Sequence, residues 1–217
     1  MDPMFGRLKS TSLPSPDQAL PGRDSRPWQL GDHVVLGTPV VTDEVPDGLE
    51  VALFGLGCFW GAEEIYWQVP GVWSTSVGYA GGVTPNPTYE EVCTGQTGHT
   101  EAVRIVFDPT QVSYADLVKR FFEIHDPTQG MRQGNDIGTQ YRSAIYWTSP
   151  EQETTARELT KVYGEELARR ELGEITTELR PAEDAGYYYA EDPHQQYLAK
   201  NPFGYRCHAN TGVAFPA

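Results

Sequence analysis

The stretch VALFGLGCFWG, Val51–Gly61, decides the fold of the chain. Its first six residues form a short apolar run, rich in branched and aromatic side chains, which predicts a buried strand. Residues 61–68 predict a helix with Glu63 and Glu64 in its first turn, where carboxylates suit the positive end of the helix dipole. Cys58 is therefore expected at a strand-to-helix junction, beside backbone N–H groups that have no partner within the helix.

A cysteine at such a junction has two interpretations. The junction favours a thiolate, which is the nucleophilic form of cysteine. A free cysteine more commonly fills space as a small buried side chain. The stretch alone does not decide whether Cys58 is a reactive residue or a packing residue.

Composition excludes several classes of protein. The 217 residues include 16 basic and 30 acidic side chains, which give a formal net charge of −14. This length predicts one domain, or one with an appendage, large enough to bury a core without disulfides or metals. The negative charge argues against nucleic acid and anionic membrane surfaces as partners. No apolar run reaches the roughly 18 residues that a membrane helix needs.

Cysteine usage indicates a reducing compartment. The three cysteines, at positions 58, 93 and 207, are too sparse for a secreted disulfide framework. The N-terminus shows no apolar signal segment. We therefore expect a cytoplasmic protein, in which a disulfide would be catalytic or redox-sensing. Nothing in the pattern indicates a coiled coil or strand exchange, so we expect a monomer.

The chain divides into an irregular part and a regular part. Residues 1–45 contain six prolines and no helical or strand periodicity, which predicts an irregular N-terminal arm. Residues 46–217 are expected to form a single domain, with a mobile coil tail from about residue 201. Residues 128–140 carry three glycines and no periodicity, which predicts a long loop.

Between the arm and the tail, strands and helices alternate. Strands are predicted at 51–56, 72–79, 100–107, 141–147 and 175–179. Helices are predicted at 61–68, 113–125, 149–171 and 192–198, with one or two helical turns at 88–93. Ser113 and Ser149 are the expected N-caps. The order strand–helix–strand over residues 51–79 predicts a βαβ unit, and the whole pattern predicts an α/β or α+β sandwich with helices on a mixed sheet.

Other polar residues lie near glycine-rich turns, but the sequence pattern does not show whether they have a catalytic role. Glu101 begins a predicted strand after a glycine-rich turn, although an exposed Glu is the commoner case. Tyr89 and Tyr141 are similarly ambiguous, because most tyrosines simply pack. The histidines and cysteines show no metal-ligand spacing, even though Cys207 and His208 are neighbours, and this argues against a zinc site.

Two functional hypotheses follow from Cys58 without any resemblance. A cysteine hydrolase would use His99 or His194 as the base that generates the thiolate, but it leaves Cys207, in a glycine-bearing tail, unexplained. A non-enzymatic protein would respond to redox state through a disulfide that moves the tail.

Six motifs, in order between about residues 50 and 205, resemble the peptide methionine sulfoxide reductase A family. They are Gly57–Gly61, Gly78–Gly82, Asn86–Val92, Gly95–Glu101, Gln133–Ser143 and Glu191–Leu198. Leu20–Arg23 also resembles the N-terminal extension of the longer bacterial members. The resemblance implies a two-layer sandwich with a ferredoxin-like core, a single catalytic domain and reduction of the S epimer of methionine sulfoxide, free or in proteins. It further implies no bound cofactor and thioredoxin as the electron donor.

The resemblance also implies a role for each site residue. Cys58 would attack the sulfoxide sulfur as a thiolate. Glu101, Tyr89 and Tyr141 match the groups that bind the sulfoxide oxygen. A glutamate beside a thiolate has a reason to stay protonated, because neighbouring negative charges disfavour each other, and the neutral carboxyl can deliver a proton.

Further positions match the substrate pocket and the second thiol. Phe59 and Trp60 match the apolar pocket for the substrate methyl group, and Asp136 matches a residue near the substrate backbone. After attack, the Cys58 sulfenic acid would condense with a second thiol to a disulfide, and Cys207 is the candidate. Cys93 is expected to be buried and inert.

The tail departs from the better-known bacterial pattern. Those members often carry Gly-Tyr-Cys-Gly and then a further cysteine near the end. Here Arg206 stands between Tyr205 and Cys207, and no cysteine follows. A single Cys58–Cys207 disulfide, reduced directly by thioredoxin, is therefore expected in place of a relay of two disulfides.

Overall fold

A computed structural model describes residues 10–207 and 209–216 of the chain. The first nine residues of the predicted arm, His208 and Ala217 lie outside these ranges. The strands are β1 Glu50–Leu56, β2 Val72–Ala80, β3 Thr100–Phe107, β4 Arg132–Gln133, β5 Asp136–Ile137, β6 Ser143–Trp147, β7 Glu178–Pro181 and β8 Tyr187–Tyr189. The α-helices are α1 Phe59–Trp67, α2 Tyr89–Cys93, α3 Tyr114–Ile124, α4 Pro150–Arg169, α5 Ala182–Ala185 and α6 Tyr197–Lys200, and short 3-10 helices lie at Thr139–Tyr141 and Asp192–His194.

A mixed six-stranded sheet is the centre of the fold. Its strand order is β7-β6-β1-β3-β2-β8. Strands β1 and β2 are both antiparallel to β3, which lies between them, and β6 pairs with β7 in parallel. The predicted βαβ unit is therefore a split one, in which β1 and β2 run in the same direction without pairing. The mixed sheet and the ferredoxin-like arrangement are confirmed.

Helices α1, α3 and α4 cover one face of the sheet. Alternate residues of β1, among them Ala52 and Phe54, belong to the same buried cluster as Phe121 of α3 and Tyr163 of α4. The rings of Phe54 and Phe121 lie 5.3 Å apart between centroids. Because side chains of a strand alternate between its two faces, the intervening Leu53 packs into a separate cluster on the other face.

The helix starts show where the local rules succeed. Ser113 and Ser149 cap α3 and α4, because their side chains accept hydrogen bonds from the N–H groups of Asp116 and Gln152, as predicted. Helix α1, however, begins at Phe59, so Glu63 and Glu64 lie beyond its first turn. The prediction that both carboxylates occupy the first turn is therefore wrong.

Several short elements were not predicted. The supposed loop at 128–140 contains the β4–β5 hairpin and the start of the Thr139–Tyr141 3-10 helix, and strand β6 begins only after Tyr141. Helix α5 and strand β8 were also missed, and β7 lies three residues later than expected. Elements of two to four residues show no periodicity that a sequence pattern could reveal.

The described part of the arm packs on the domain. Arg23 donates hydrogen bonds to both carboxylate oxygens of Glu91, at 2.7 and 3.0 Å, and to the Asn86 carbonyl. Glu91 also accepts a bond from the Thr88 N–H in a capping box of α2. The arm therefore holds the N-terminal turn of the helix that carries Tyr89.

The C-terminal end of the tail is also packed. The ring of Phe215 stacks on Tyr163 of α4 at 5.5 Å, and the Tyr163 hydroxyl donates to the Val213 carbonyl at 2.9 Å. The tail is coil, as predicted, but it is attached to the core beyond Cys207. No helix of the described part of the chain is long and apolar enough to cross a membrane.

Glu63 is a buried carboxyl in α1. It accepts hydrogen bonds from the Thr75 hydroxyl at 3.0 Å and from both the backbone N–H and the side-chain amide of Gln196 at 2.7 Å. His33 of the arm bonds to the same Thr75 hydroxyl at 2.8 Å. Burial raises the pKa of Glu63 to about 7, against the lowering effect of its hydrogen bonds.

This pKa predicts a pH-dependent loss of stability. Because the folded pKa lies above the unfolded value of 4.5, the folded state binds more protons between these values, and the free energy of unfolding falls as pH rises. Relative to Glu63→Gln, the free energy of unfolding of the wild-type protein should fall by roughly 2–3 kcal/mol between about pH 4.5 and 7. Urea unfolding of both proteins across this range measures the difference. Parallel curves would show that Glu63 titrates normally.

Candidate active site

Cys58 is the residue before α1 and is 9% exposed. The preceding Gly57 has φ +91°, in the left-handed region that favours glycine. A Cβ at Gly57 would lie 2.7 Å from Cγ of Gln133, so a larger residue would meet the β4–β5 hairpin. Gly57 thus permits the sharp change from strand to helix that places the Cys58 thiol at the helix start.

A cavity of about 190 Å³ opens beside this thiol. It collects side chains from β3, β5, the starts of α1 and α2, the 3-10 helix before β6 and the tail. The lining residues are Cys58, Phe59, Trp60, Tyr89, Glu101, Asp136, Tyr141 and Tyr205. Seven of these are site residues predicted from the sequence. Cys207 is the predicted site residue that does not line the cavity, and Tyr205 is the lining residue that was not predicted.

Glu101 is the buried carboxyl of the cavity. It is the second residue of β3, the strand next to β1, and is 2% exposed. Its Oε2 accepts a hydrogen bond from the Phe59 N–H at 3.0 Å. One of the unpartnered N–H groups at the start of α1 is thereby satisfied by the carboxyl instead of the thiol.

The environment of Cys58 opposes its ionisation. Burial raises the pKa of the Cys58 thiol well above its usual value, and the nearby Glu101 charge raises it further. The Trp60 backbone N–H acts in the opposite direction but is outweighed. The prediction of a thiolate stabilised by the helix start is therefore wrong for the free protein, because the sequence position does not reveal burial.

The two phenols remain hydrogen-bond donors. Burial, followed by the Glu101 charge, raises the pKa values of both Tyr89 and Tyr141 above their usual value. Tyr89 is the first residue of α2, and its N–H donates to Oε1 of Glu191 at 2.8 Å. The cavity thus contains a thiol, a carboxyl and two protonated phenols.

An aromatic cluster forms the apolar wall. Trp60 stacks on Tyr197 at 3.9 Å, and its indole N–H donates to Nδ1 of His194 at 3.3 Å. The His194 ring also lies 4.3 Å from the Tyr89 ring, between centroids. The segment Glu191–Tyr197 therefore supports both Trp60 and Tyr89 from outside the cavity. Its motif was noted in the sequence, but these supporting contacts were not predicted.

His99 and His194, the two histidines considered as a base for Cys58, are engaged elsewhere. The Nδ1 atom of His99 accepts from the Gly82 N–H at 3.0 Å, and its Nε2 bonds to the Thr84 carbonyl at 2.7 Å. Nδ1 of His194 is bonded to Trp60, and neither ring lines the cavity. The cysteine hydrolase hypothesis therefore lacks the thiol–imidazole pair on which it depends.

Cys207 lies just outside the cavity. Its Sγ donates to the Gln133 carbonyl at 3.7 Å, and Gln133 is the residue that packs against Gly57. Cys58 and Cys207 are both free thiols. Cys93, which was expected to be buried, is partly exposed and is in no disulfide. No group of three or more potential metal ligands occurs within residues 10–207 and 209–216.

The fold and the cavity define an α+β protein with a cysteine-centred site surrounded by proton donors. The family model described as peptide methionine sulfoxide reductase matches residues 50–215. The chain is 56% identical over 215 residues to peptide methionine sulfoxide reductase MsrA of Salinispora arenicola, with 98% of this chain and 96% of the relative covered. It is 58% identical over 211 residues to the MsrA of Rhodospirillum centenum, with 97% of this chain and 94% of that relative covered.

Solved structures show the same likeness. Methionine sulfoxide reductase A of Corynebacterium diphtheriae superposes with a TM-score of 0.85 at 51% identity, covering 95% of this chain and all of that one. The reduced form of Mxr1 from Saccharomyces cerevisiae has a TM-score of 0.67 at 33% identity, with 77% of this chain and 96% of that chain covered. The chain belongs to the peptide methionine sulfoxide reductase family.

Proposed function

We propose that the chain reduces the S epimer of methionine sulfoxide, free or in proteins, with Cys58 as the nucleophile. One observation carries the proposal: a single small cavity brings the Cys58 thiol to a buried carboxyl, Glu101, and two phenols, Tyr89 and Tyr141. A sulfoxide needs this combination, since its sulfur must be attacked while its oxygen is protonated. The relatives described above bear the name of this activity.

The substrate binds with its methyl group against Phe59 and Trp60. Its oxygen then lies among Glu101, Tyr89 and Tyr141, and Asp136 is available for the substrate backbone. The phenols donate hydrogen bonds to the oxygen, and the apolar wall excludes water, so that charge developing on the oxygen is stabilised by fixed donors.

The first chemical step transfers oxygen to Cys58. The Cys58 thiol gives its proton to the Glu101 carboxylate, and the resulting thiolate attacks the sulfoxide sulfur as Glu101 passes this proton to the oxygen. The substrate S–O bond then breaks, the oxygen becomes bonded to Cys58 as a sulfenic acid, and methionine leaves as the thioether. Two electrons pass from Cys58 to the substrate sulfur, so no bound cofactor is required.

The second step restores the thiol. The Cys207 thiol attacks the sulfenic sulfur, a disulfide forms, and water leaves. Cys207 must first leave the Gln133 carbonyl, which costs little because a thiol is a weak donor. A dithiol partner of the thioredoxin class then reduces the disulfide by exchange. We place this chemistry in a monomeric catalytic domain, residues 46–217, working in the reducing cytoplasm.

An assay with separated epimers tests this function. The protein should convert methionine-S-sulfoxide, and not the R epimer, in many turnovers with thioredoxin, its reductase and NADPH. Cys207→Ser should release about one methionine per protein and then stop with thioredoxin, because the second thiol is absent. Equal use of both epimers, or no methionine from either, would contradict the proposal.

A further inference from the structure

The segment that precedes Cys207 is attached to the site at successive residues. The Tyr205 hydroxyl donates to Oδ2 of Asp136 at 3.0 Å. The guanidinium of Arg206 binds Glu64 of α1. The Cys207 thiol makes a long bond of 3.7 Å to the Gln133 carbonyl. These contacts differ greatly in strength, which decides where the segment can move.

The Arg206–Glu64 contact is a bidentate ion pair. Nε donates to one carboxylate oxygen of Glu64 and Nη2 to the other, both at 2.7 Å. The Arg206 and Glu64 side chains are 29% and 22% exposed, so the pair is partly shielded from water. Such paired, charge-assisted bonds are stronger and more directional than a single neutral hydrogen bond.

The same guanidinium also binds backbone carbonyls of the preceding turn, residues 202–204. Its Nη1 donates to the Pro202 carbonyl at 2.9 Å and to the Gly204 carbonyl at 3.3 Å. Arg206 therefore both shapes residues 202–206 and fastens them to α1. Since Glu64 is six residues after Cys58, the attachment lies about 9 Å along the helix from the attacking thiol.

We propose that Arg206 and Glu64 are positioning residues for the second step, in which Cys207 resolves the Cys58 sulfenic acid. This inference rests on the proposed function for the origin of that sulfenic acid. The ion pair stays closed while Cys207 breaks its weak bond to Gln133 and turns towards Cys58. The step is Cys58–SOH plus Cys207–SH giving the disulfide plus water.

The physical effect is one of effective concentration. A thiol on a free tail meets its partner rarely, whereas fastening the adjacent residue confines the thiol near it. Arg206 is also the residue at which the tail departs from the Gly-Tyr-Cys-Gly pattern. The extra residue before Cys207 thus has an identifiable partner in this chain.

Four variants isolate this effect. Arg206→Gln and Glu64→Gln each remove one charge of the pair. The exchange Glu64→Arg with Arg206→Glu restores a pair of opposite sign. Arg169→Gln is the matched control, because Arg169 forms an ion pair with Glu166 on α4 at 2.5 Å.

The two steps are timed separately in a single turnover without reductant. Each protein is mixed with one equivalent of methionine-S-sulfoxide, and methionine and the Cys58–Cys207 disulfide are quantified by mass spectrometry after acid quench. We expect equal rates of methionine formation in all variants. Disulfide formation should slow roughly three- to fivefold in both single variants, remain normal in Arg169→Gln and recover in the exchange. Added salt should slow the wild type but not Arg206→Gln.

A second experiment, run in parallel, separates this inference from the proposed function. Hydrogen peroxide oxidises Cys58 to the sulfenic acid without any sulfoxide. Because Cys58 is a buried thiol of raised pKa, this oxidation is slow, so dimedone is included to compete with Cys207 for the sulfenic acid. If methionine never forms but the ratio of disulfide to dimedone label follows the same pattern across the variants, the proposed function fails and the positioning role stands. Unchanged or faster disulfide formation in Arg206→Gln and Glu64→Gln overturns the positioning role.

Discussion

Cys58→Ser is expected to reduce methionine formation at least about 10⁴-fold, because every electron that reaches the substrate comes from this sulfur. A serine hydroxyl at the same buried position neither ionises nor accepts the oxygen. The loss should appear in a single turnover as well as in the steady state, with methionine measured by chromatography. Thermal unfolding of the variant checks that the fold is intact.

Cys93→Ser is the matched control for this substitution. Cys93 lies at the end of α2 and is in no disulfide, and it does not line the cavity. Its replacement should leave methionine formation within about threefold of the wild type. Substantial activity in Cys58→Ser would show that another group attacks the sulfoxide, and the mechanism would then be wrong at its first step.

Glu101→Gln is expected to slow the sulfoxide step by roughly 10²-fold, in the range for loss of a general acid. The amide oxygen can still accept the hydrogen bond from Phe59, and its NH₂ group can still donate to the sulfoxide. The group can no longer deliver a proton. Glu90→Gln, an exposed carboxyl on α2, should have no effect.

The same substitution should make the thiol more reactive towards a simple alkylating agent. Because the Glu101 charge raises the pKa of Cys58, a neutral amide lowers it, and more thiolate is present at a given pH. The pH dependence of iodoacetamide alkylation should therefore shift to lower pH in Glu101→Gln while sulfoxide reduction slows. If both reactions slow together, the Glu101 charge does not raise the pKa of Cys58, and this account of the site's electrostatics is wrong.

The local features of the site follow from the sequence to a large degree. The apolar run before Cys58 predicted β1, and Ser113 and Ser149 predicted two helix starts. These predictions depend only on neighbours in the chain. The approach of Glu101 to Cys58 does not, because it results from β3 lying beside β1 with Phe54 opposite Val103. The prediction placed Glu101 near Cys58 because of the family motifs. The hydrophobic periodicity of the sequence could not have done so.

Burial is what the sequence could not show. The pKa of Cys58 was expected to fall at a helix start, yet burial raises it. Glu63 was expected in the first turn of the helix, yet it lies further along α1 and is enclosed by Thr75 and Gln196 from distant segments. Both errors arise because desolvation depends on tertiary packing. Tyr205 was likewise missed, since its place in the cavity depends on how the coil tail is folded back.

The central claim is that the substrate's oxygen passes to the Cys58 sulfur. It is tested most directly in Cys207→Ser, where the sulfenic acid has no internal thiol to react with. The protein is mixed with one equivalent of methionine-S-sulfoxide and then with dimedone, which labels sulfenic acids, and is mapped by mass spectrometry. We predict one methionine per protein and one dimedone label, on Cys58. Methionine released without a label on Cys58 would contradict the mechanism.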